Sequence, residues 1–250
     1  MNAKTIIDYL EARFPLSLQG PQDTSGLQWG SDRIGVKRVV VSYEKTLDVI
    51  SYCINTRCDL LITHRPLLLQ SKFGPPPEKW WGKITDLLNR SNIAIYSLHD
   101  NLDRASHGTG YQLAANLELR VVSQTGEYVV TTMPSTTLSE FAVYVNSRLN
   151  PEYIVVAGDP MNIIERVGIV AGSAMSLQDI DFMSDIGVQC YLSGDPDDFA
   201  IRYARDLGLC TINCDDYALE RPAVLMLFRL LNEYFPLLDI DLYDCRYNMV

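Results

Sequence analysis

The sequence predicts an α/β protein built of two related units with mixed, mostly parallel sheets, and two observations predict it. Short β-branched runs alternate with helical patterns, and the second half of the chain repeats the first. Runs such as "VKRVVVSY", "CDLLIT" and "IAIYSL" are apolar throughout and are separated by "TLDVISYCINT" and "DLLNRS". Continuous apolar strands separated by helices signal a sheet covered on both faces.

The repeat lays "GVKRVVVSYEKTLDVISYCINTRCDLLITHRP" over "IIERVGIVAGSAMSLQDIDFMSDIGVQCYLSGDP", matching Arg38 with Arg166, Thr63 with Ser193 and Pro66 with Pro196. "IAIYSLHDNLDR" then lies over "CTINCDDYALER", pairing His99 with Asp216 and Asp103 with Glu220. This places one α/β unit over residues 1–121 and a second over 122–250, with equivalent polar residues at equivalent strand ends.

Each element has a local reason. Ile6, Ile7, Leu10 and Phe14 repeat at helical spacing in "MNAKTIIDYLEARF", which lacks a secretory apolar core. "SKFGPPPEKWWGK" (71–83) reads as an irregular loop stiffened by prolines, with Trp80 and Trp81 packing on the protein's own surface or at a subunit contact, or else forming a substrate-stacking lid. "EYVVTTMPSTTLSEFAVYVNSRLNPEYIVVAGD" reads as strand, turn at Pro134, helix, strand. Leu138, Phe141, Ala142, Val145 and Leu149 form the apolar stripe of its helix.

Composition excludes several functions. The chain has 250 residues, a net charge of −10 and no long basic cluster, so nothing offers phosphate backbones a positive stripe and direct nucleic-acid binding is not expected. No apolar run approaches the roughly 20 residues that span a bilayer, so the expectation is a soluble, cytoplasmic protein without membrane partners. The six cysteines form no Cys-x-x-Cys pair and read as reduced, buried thiols; only the place of Cys210 and Cys214 at a strand end keeps a redox reading open.

Ligands of parallel sheets collect beyond the carboxyl ends of the strands. His64 follows "DLLIT", His99 follows "IAIYSL", and Asp215 and Asp216 follow "CTINC", so three strand ends project metal-competent groups. His99 and Asp103 are four apart, as are Asp216 and Glu220, and each pair shares a face where a helical turn begins. Pro222 suits the first turn of a helix starting near Glu220. Imidazole with carboxylate favours zinc, manganese or iron over calcium. Taken singly, His64 could be a hydrogen-bonded structural histidine and Asp103 a helix cap; it is their joint occurrence that marks a site. His107, in a Gly-flanked loop, reads as no ligand.

These segments resemble the Nif-three-like family, the NGG-one-interacting-factor-three proteins, many of which carry the name GTP cyclohydrolase I type 2 homologue. "PQDTSGLQWG" is similar to the family's W-D-N-x-G-L-x-x-G, "DLLITHRPLLL" to D-L-I-I-T-H-H-P, and "HDNLD" to H-T-N-L-D. "VGIVAGSAMS" is similar to V-x-V-x-G-G-S-G, "YLSGDPDDFA" to a second strand-end T-G-D/E segment, and "DDYALE" to G-H-Y-x-x-E. The resemblance covers essentially the whole chain. It implies two intertwined α/β/α units in one compact body, a ring-shaped homohexamer and a dinuclear metal centre. His64, Asp103 and Glu220 match family ligands, and His99 matches the histidine beside them.

Two positions depart from the pattern. Asp216 replaces the histidine of G-H-Y-x-x-E, which a carboxylate can stand in for. Arg65 replaces the second histidine of H-H-P, and a guanidinium has no lone pair to give a metal. If Arg65 points into the site it takes one metal's place and pairs with Asp103 and Glu220; if it swings outward, His99 can complete a second metal position. The expectation is one divalent metal per chain (Zn, Fe or Mn), held by His64, Asp216 and Glu220, or none, rather than two. The function implied is a metal-dependent hydrolase or GTP-cyclohydrolase-like enzyme acting on a nucleotide-like or phosphorylated small molecule. The alternative is a non-catalytic ring-forming scaffold or regulatory ligand-binding protein with a degenerate centre.

Overall fold

A computed structural model describes residues 1–67 and 77–246. They fall into two compact units, Met1–Ala105 with Val224–Arg246, and Ser106–Ala223.

The first unit begins with α1 (Ala3–Glu11), capped by the Asn2 side chain, and buries Ile6, Ile7 and Leu10 as their spacing predicts. Its sheet is assembled from β1 (Gly26–Trp29), β2 (Arg38–Ser42), β3 (Leu60–Thr63), β4 (Ala94–Ser97) and β11 (Asp239–Tyr243), in the order β1-β4-β3-β2-β11. Strands β4, β3, β2 and β11 run parallel and β1 closes the edge antiparallel to β4. Every residue of β3 and β4 is buried, which is why their sequences show no alternation. Helices α2 (Leu47–Asn55) and α3 (Glu78–Asn89) supply the crossovers, and α4 (Asp100–Asp103) is a single turn after β4.

The second unit holds α5 (Thr109–Asn116), β5 (Arg120–Thr125), β6 (Tyr128–Thr137), α6 (Leu138–Leu149), β7 (Ile154–Ala157), β8 (Ile163–Ile169), α7 (Leu177–Asp185), β9 (Cys190–Ser193), α8 (Asp198–Asp206) and β10 (Cys210–Cys214). Its sheet order is β5-β6-β8-β9-β10-β7, with parallel β8, β9 and β10 at the centre and antiparallel neighbours on both sides. Helix α9 (Asp216–Tyr234) begins in this unit's chain segment and ends in that of the first. Among the described residues, no helix is long and apolar enough to cross a membrane.

The repeat is written in hydrogen bonds. Asp59 Oδ2 accepts from the backbone N–H of Lys37 and Arg38 (2.7 and 2.9 Å), as Gln189 Oε1 does from Glu165 and Arg166 (3.2 and 2.7 Å). Thr46 caps α2 and Ser176 caps α7, and each following turn contains a left-handed residue, Arg57 (φ 56°) or Gly187 (φ 71°).

Three local expectations are corrected. Pro134 makes no turn; β6 runs through it, and the proline lies where the ladder to β8 shifts register between Thr132 and Thr136, so its missing N–H interrupts no regular pair. Residues 71–76 lie outside the described residues, but 78–83 are helix, not loop. Pro77 precedes α3, the acid Glu78 opens it, and Ile84 and Leu88 bury one face four residues apart, with Trp80 and Trp81 half-buried near its start. Helix α9 starts at Asp216 rather than near Glu220, because the Asp215 side chain accepts the Ala218 N–H (3.0 Å); Pro222 therefore sits inside the helix. All six cysteines are buried and free.

Two glycines test these contacts in opposite directions. Gly30 has φ +75°, and a Cβ there would lie 2.9 Å from the Ile93 carbonyl oxygen; Gly82, exposed within α3, would meet nothing within 4 Å. Gly30→Ala should cost about 1–3 kcal/mol, while Gly82→Ala should add roughly 0.5–1 kcal/mol. Urea denaturation checks both; equal midpoints for the two variants would refute the assignment.

Candidate metal centre

In the first unit, β3 and β4 end side by side, and this brings His64 and His99 together. The Thr63 and Ser97 hydroxyls, both fully buried, hydrogen-bond each other across the two strand ends at 2.7 Å. His64 is fully buried; its backbone N–H donates to the Ser42 carbonyl, and its Nδ1 lies 2.7 Å from the Leu98 carbonyl oxygen. A carbonyl only accepts, so Nδ1 carries a proton and Nε2 is the nitrogen on the Asp103 side.

His99 is oriented in the same way by a different group. Its Nδ1 is 2.9 Å from Asp23 Oδ1, with Asp100 Oδ1 at 3.3 Å. The Asp23 side chain is 1% exposed. Burial alone would raise its carboxyl, but hydrogen bonds from His99 and Ser25 outweigh that and hold it down at about 2. Asp23 is therefore an ionised acceptor, and His99 also presents Nε2. A histidine whose second nitrogen is held by a carboxylate or a carbonyl is a pre-oriented metal ligand.

Asp103 arrives one helical turn after His99. The backbone N–H groups of Leu102 and Asp103 both donate to the His99 carbonyl (2.8 and 2.9 Å). Asn101, fully buried, pins the turn by donating to the Phe14 carbonyl (2.7 Å) and accepting from the His99 N–H (3.0 Å). Asp103 Oδ1 lies 3.7 Å from His64 Nε2, and His64, His99 and Asp103 each offer a ligand atom within 4.8 Å of the others. Two imidazoles and a carboxylate around one point suit zinc, iron or manganese, so these residues fit a divalent metal.

Arg65 follows directly. Its backbone N–H donates to the Tyr43 carbonyl, and its Nε donates to the Tyr43 hydroxyl at 3.0 Å. The Tyr43 ring in turn lies 5.9 Å from the His64 ring. His107 is exposed, at φ 61°, hydrogen-bonded to Ser106 and edge-on to Tyr111, and belongs to no metal-competent group among the described residues.

In the second unit, Asp216 and Glu220 lie one turn apart at the start of α9, and glycine makes room for both. A Cβ on Gly172 (φ +89°) would fall on Glu220 Oε1 and one on Gly194 on Asp216 Oδ1. Ser173 donates its hydroxyl to Asp216 Oδ2 at 2.9 Å, and Glu220 is buried. Burial, reinforced by the charge of Asp216, pushes the Tyr153 phenol up to about 12, so it keeps its proton at neutral pH.

Sequence reasoning singled out His64, His99 and Asp103, and these three converge. It assigned no role to Asp23, Ser25 or Asn101. All three lie inside quoted segments, "PQDTSGLQWG" and "HDNLD", but nothing local says that residue 23 reaches residue 99.

Comparison with known proteins agrees with this architecture. A GTP cyclohydrolase 1 type 2 homolog from Nostoc is 31% identical over 204 residues, 74% of each chain. The GTP cyclohydrolase 1 type 2 of Helicobacter pylori is 25% identical over 238 residues, 95% of each. Among solved structures, a Staphylococcus aureus protein superposes with a TM-score of 0.86 at 18% identity, covering 100% of this chain and 99% of that one. Reduced HcgD from Methanocaldococcus jannaschii gives 0.80 at 24%, covering 97% of each. The description of one family matches residues 1–247, and on that match the chain belongs to the Duf34/NIF3 (NGG1p interacting factor 3) family.

Proposed function

We propose that this protein binds a divalent metal, zinc, iron or manganese, at His64, His99 and Asp103. On this proposal it uses the metal in hydrolytic or GTP-cyclohydrolase-like chemistry on a nucleotide-like or phosphorylated small molecule. The observation that carries the reading is the convergence of the three side chains: His64, His99 and Asp103 each place a ligand atom within 4.8 Å of the others, with the two imidazoles oriented through Nδ1 by the Leu98 carbonyl and by Asp23. The names of the relatives from Nostoc and Helicobacter pylori support the choice of chemistry. Asp216 and Glu220 enter the ligand set on the family resemblance, as does assembly into a hexameric ring.

When bound, a divalent metal supplies Lewis acidity that polarises a substrate oxygen. The chain's own residues do the rest. Asp23 holds His99 in one tautomer and ring orientation, and the Leu98 carbonyl does the same for His64. Asn101 fixes the turn that sets Asp103 against both. Arg65 places a permanent cation next to His64 in sequence, which disfavours a second dication there and can meet an anionic substrate group. That cation also favours the second reading, a ring-forming scaffold or regulatory protein with a degenerate centre.

Elemental analysis of protein purified without chelator tests the proposal. The wild type should carry about one metal per chain, His64→Ala should lose it, and Arg65→His should gain toward about two, the count that dinuclear sites need. Two metals in the wild type would sink the role given to Arg65, and full occupancy in His64→Ala would sink the site.

Asp23→Asn should weaken zinc binding by roughly 10–100-fold, as loss of a ligand's supporting partner does, with the far-UV spectrum unchanged; a competition titration against a chromophoric chelator reads it. Asp216→Ala separates the two readings: an enzyme loses GTP turnover with its fold intact, whereas a scaffold loses nothing or only stability.

A further inference from the structure

The internal repeat exposes a second candidate site, because two equivalent arginines have different surroundings. In the first unit, Arg38 on β2 is fully balanced. Its Nη1 meets Asp239 Oδ2 at 2.8 Å and its Nη2 meets Asp241 Oδ2, both carboxylates lying on β11 beside it. Tyr52 donates its hydroxyl to the same Asp241 at 2.9 Å.

In the second unit, Arg166 on β8 occupies the equivalent position, its backbone held by Gln189 as that of Arg38 is by Asp59. The neighbouring strand is β6, which sets Thr132 opposite Arg166 instead of an aspartate. Phe182 stands where the repeat has Tyr52, so the hydroxyl is gone as well. Both arginines bury Nε without an acceptor; the difference lies in the two Nη groups, for which Arg166 has no ion-pair partner among the described residues.

Where the first unit has its carboxylates, the second has a cavity of about 200 Å³. Arg166 lines it together with Tyr128, Phe182 and Ile186, and with Ser123 and Thr125 from the exposed strand β5. The Tyr128 and Phe182 rings are 4.7 Å apart, and the Tyr128 hydroxyl is turned to Asp179 Oδ1 at 2.5 Å. A guanidinium prefers a planar, two-oxygen acceptor, and a half-buried one without a counter-charge is disfavoured.

We propose that this cavity binds a small organic carboxylate, its two oxygens on the Arg166 guanidinium and its hydrocarbon part against Phe182, Tyr128 and Ile186. The volume, below the usual range for drug-sized ligands, admits a molecule about as large as benzoate. The ligand supplies in one unit what Asp239 and Asp241 supply in the other, and the site is independent of the metal centre.

The test is a titration of the isotope-labelled full chain with benzoate and with benzamide, its neutral isostere, followed by amide NMR shifts. Benzoate should bind at least ~10-fold more tightly than benzamide, a margin typical of one charge-assisted bidentate contact. The shifts should fall on β5, β6 and α7. Arg166→Gln should abolish the preference. Ser123→Trp, an exposed substitution at the cavity, should block both probes and guards against a folding defect in the first variant.

Equal binding of the two probes, binding unaffected by either variant, or shifts confined to the loops after β3 and β4 would overturn the proposal. So would a change in sedimentation mass on Arg166→Gln, which would mean that the carboxylate comes from another copy of the chain.

Discussion

Strands β3, β4, β9 and β10 are buried along their whole length, and this constraint organises both units. A strand covered on both faces has no solvent side for a polar residue, so charged and imidazole side chains are displaced to its ends. At the carboxyl ends, main-chain carbonyls and short hydroxyl side chains are present to receive them. The Thr63–Ser97 contact and the bond from His64 to the Leu98 carbonyl are the direct result. These side chains are held in place because the ladder beneath them cannot move without exposing apolar surface.

That constraint also explains what could be read from the chain. The parallel core was legible because its strands are apolar without alternation, and the repeat was legible because Arg38 and Arg166, or Thr63 and Ser193, hold equivalent places. His64, His99 and Asp103 were legible for the same reason, since each follows a recognisable strand or turn at a fixed interval. Contacts that depend on distant segments were not. Asp23 and His99 are separated by 76 residues, and no periodicity links them. The passage of β6 through Pro134 depends on a register shift that only the partner strand defines. The start of α9 turned on Asp215, which reads in isolation as one more strand-end carboxylate.

The two units show how one topology tolerates different chemistry. Around β2 and β8 the backbone bonds are conserved between the repeats down to a side chain that bridges two consecutive N–H groups, an aspartate in one and a glutamine in the other. Beyond the strand ends the repeats diverge: histidines in the first unit, glycines with carboxylates in the second. The scaffold is held by main-chain geometry, leaving the end positions free to specialise.

That specialisation has a direction. The repeat sets Gly194 against His64, yet position 194 has no room for a side chain. Its first carbon would collide with Asp216 Oδ1 and sit 2.8 Å from the Gly172 carbonyl oxygen. With the aspartate in the space that the glycines leave, the two halves are not interchangeable at this position: a side chain at 194 needs both Asp216 and the Gly172 backbone to move. The asymmetry of the repeat thus comes down to the absence of one β-carbon.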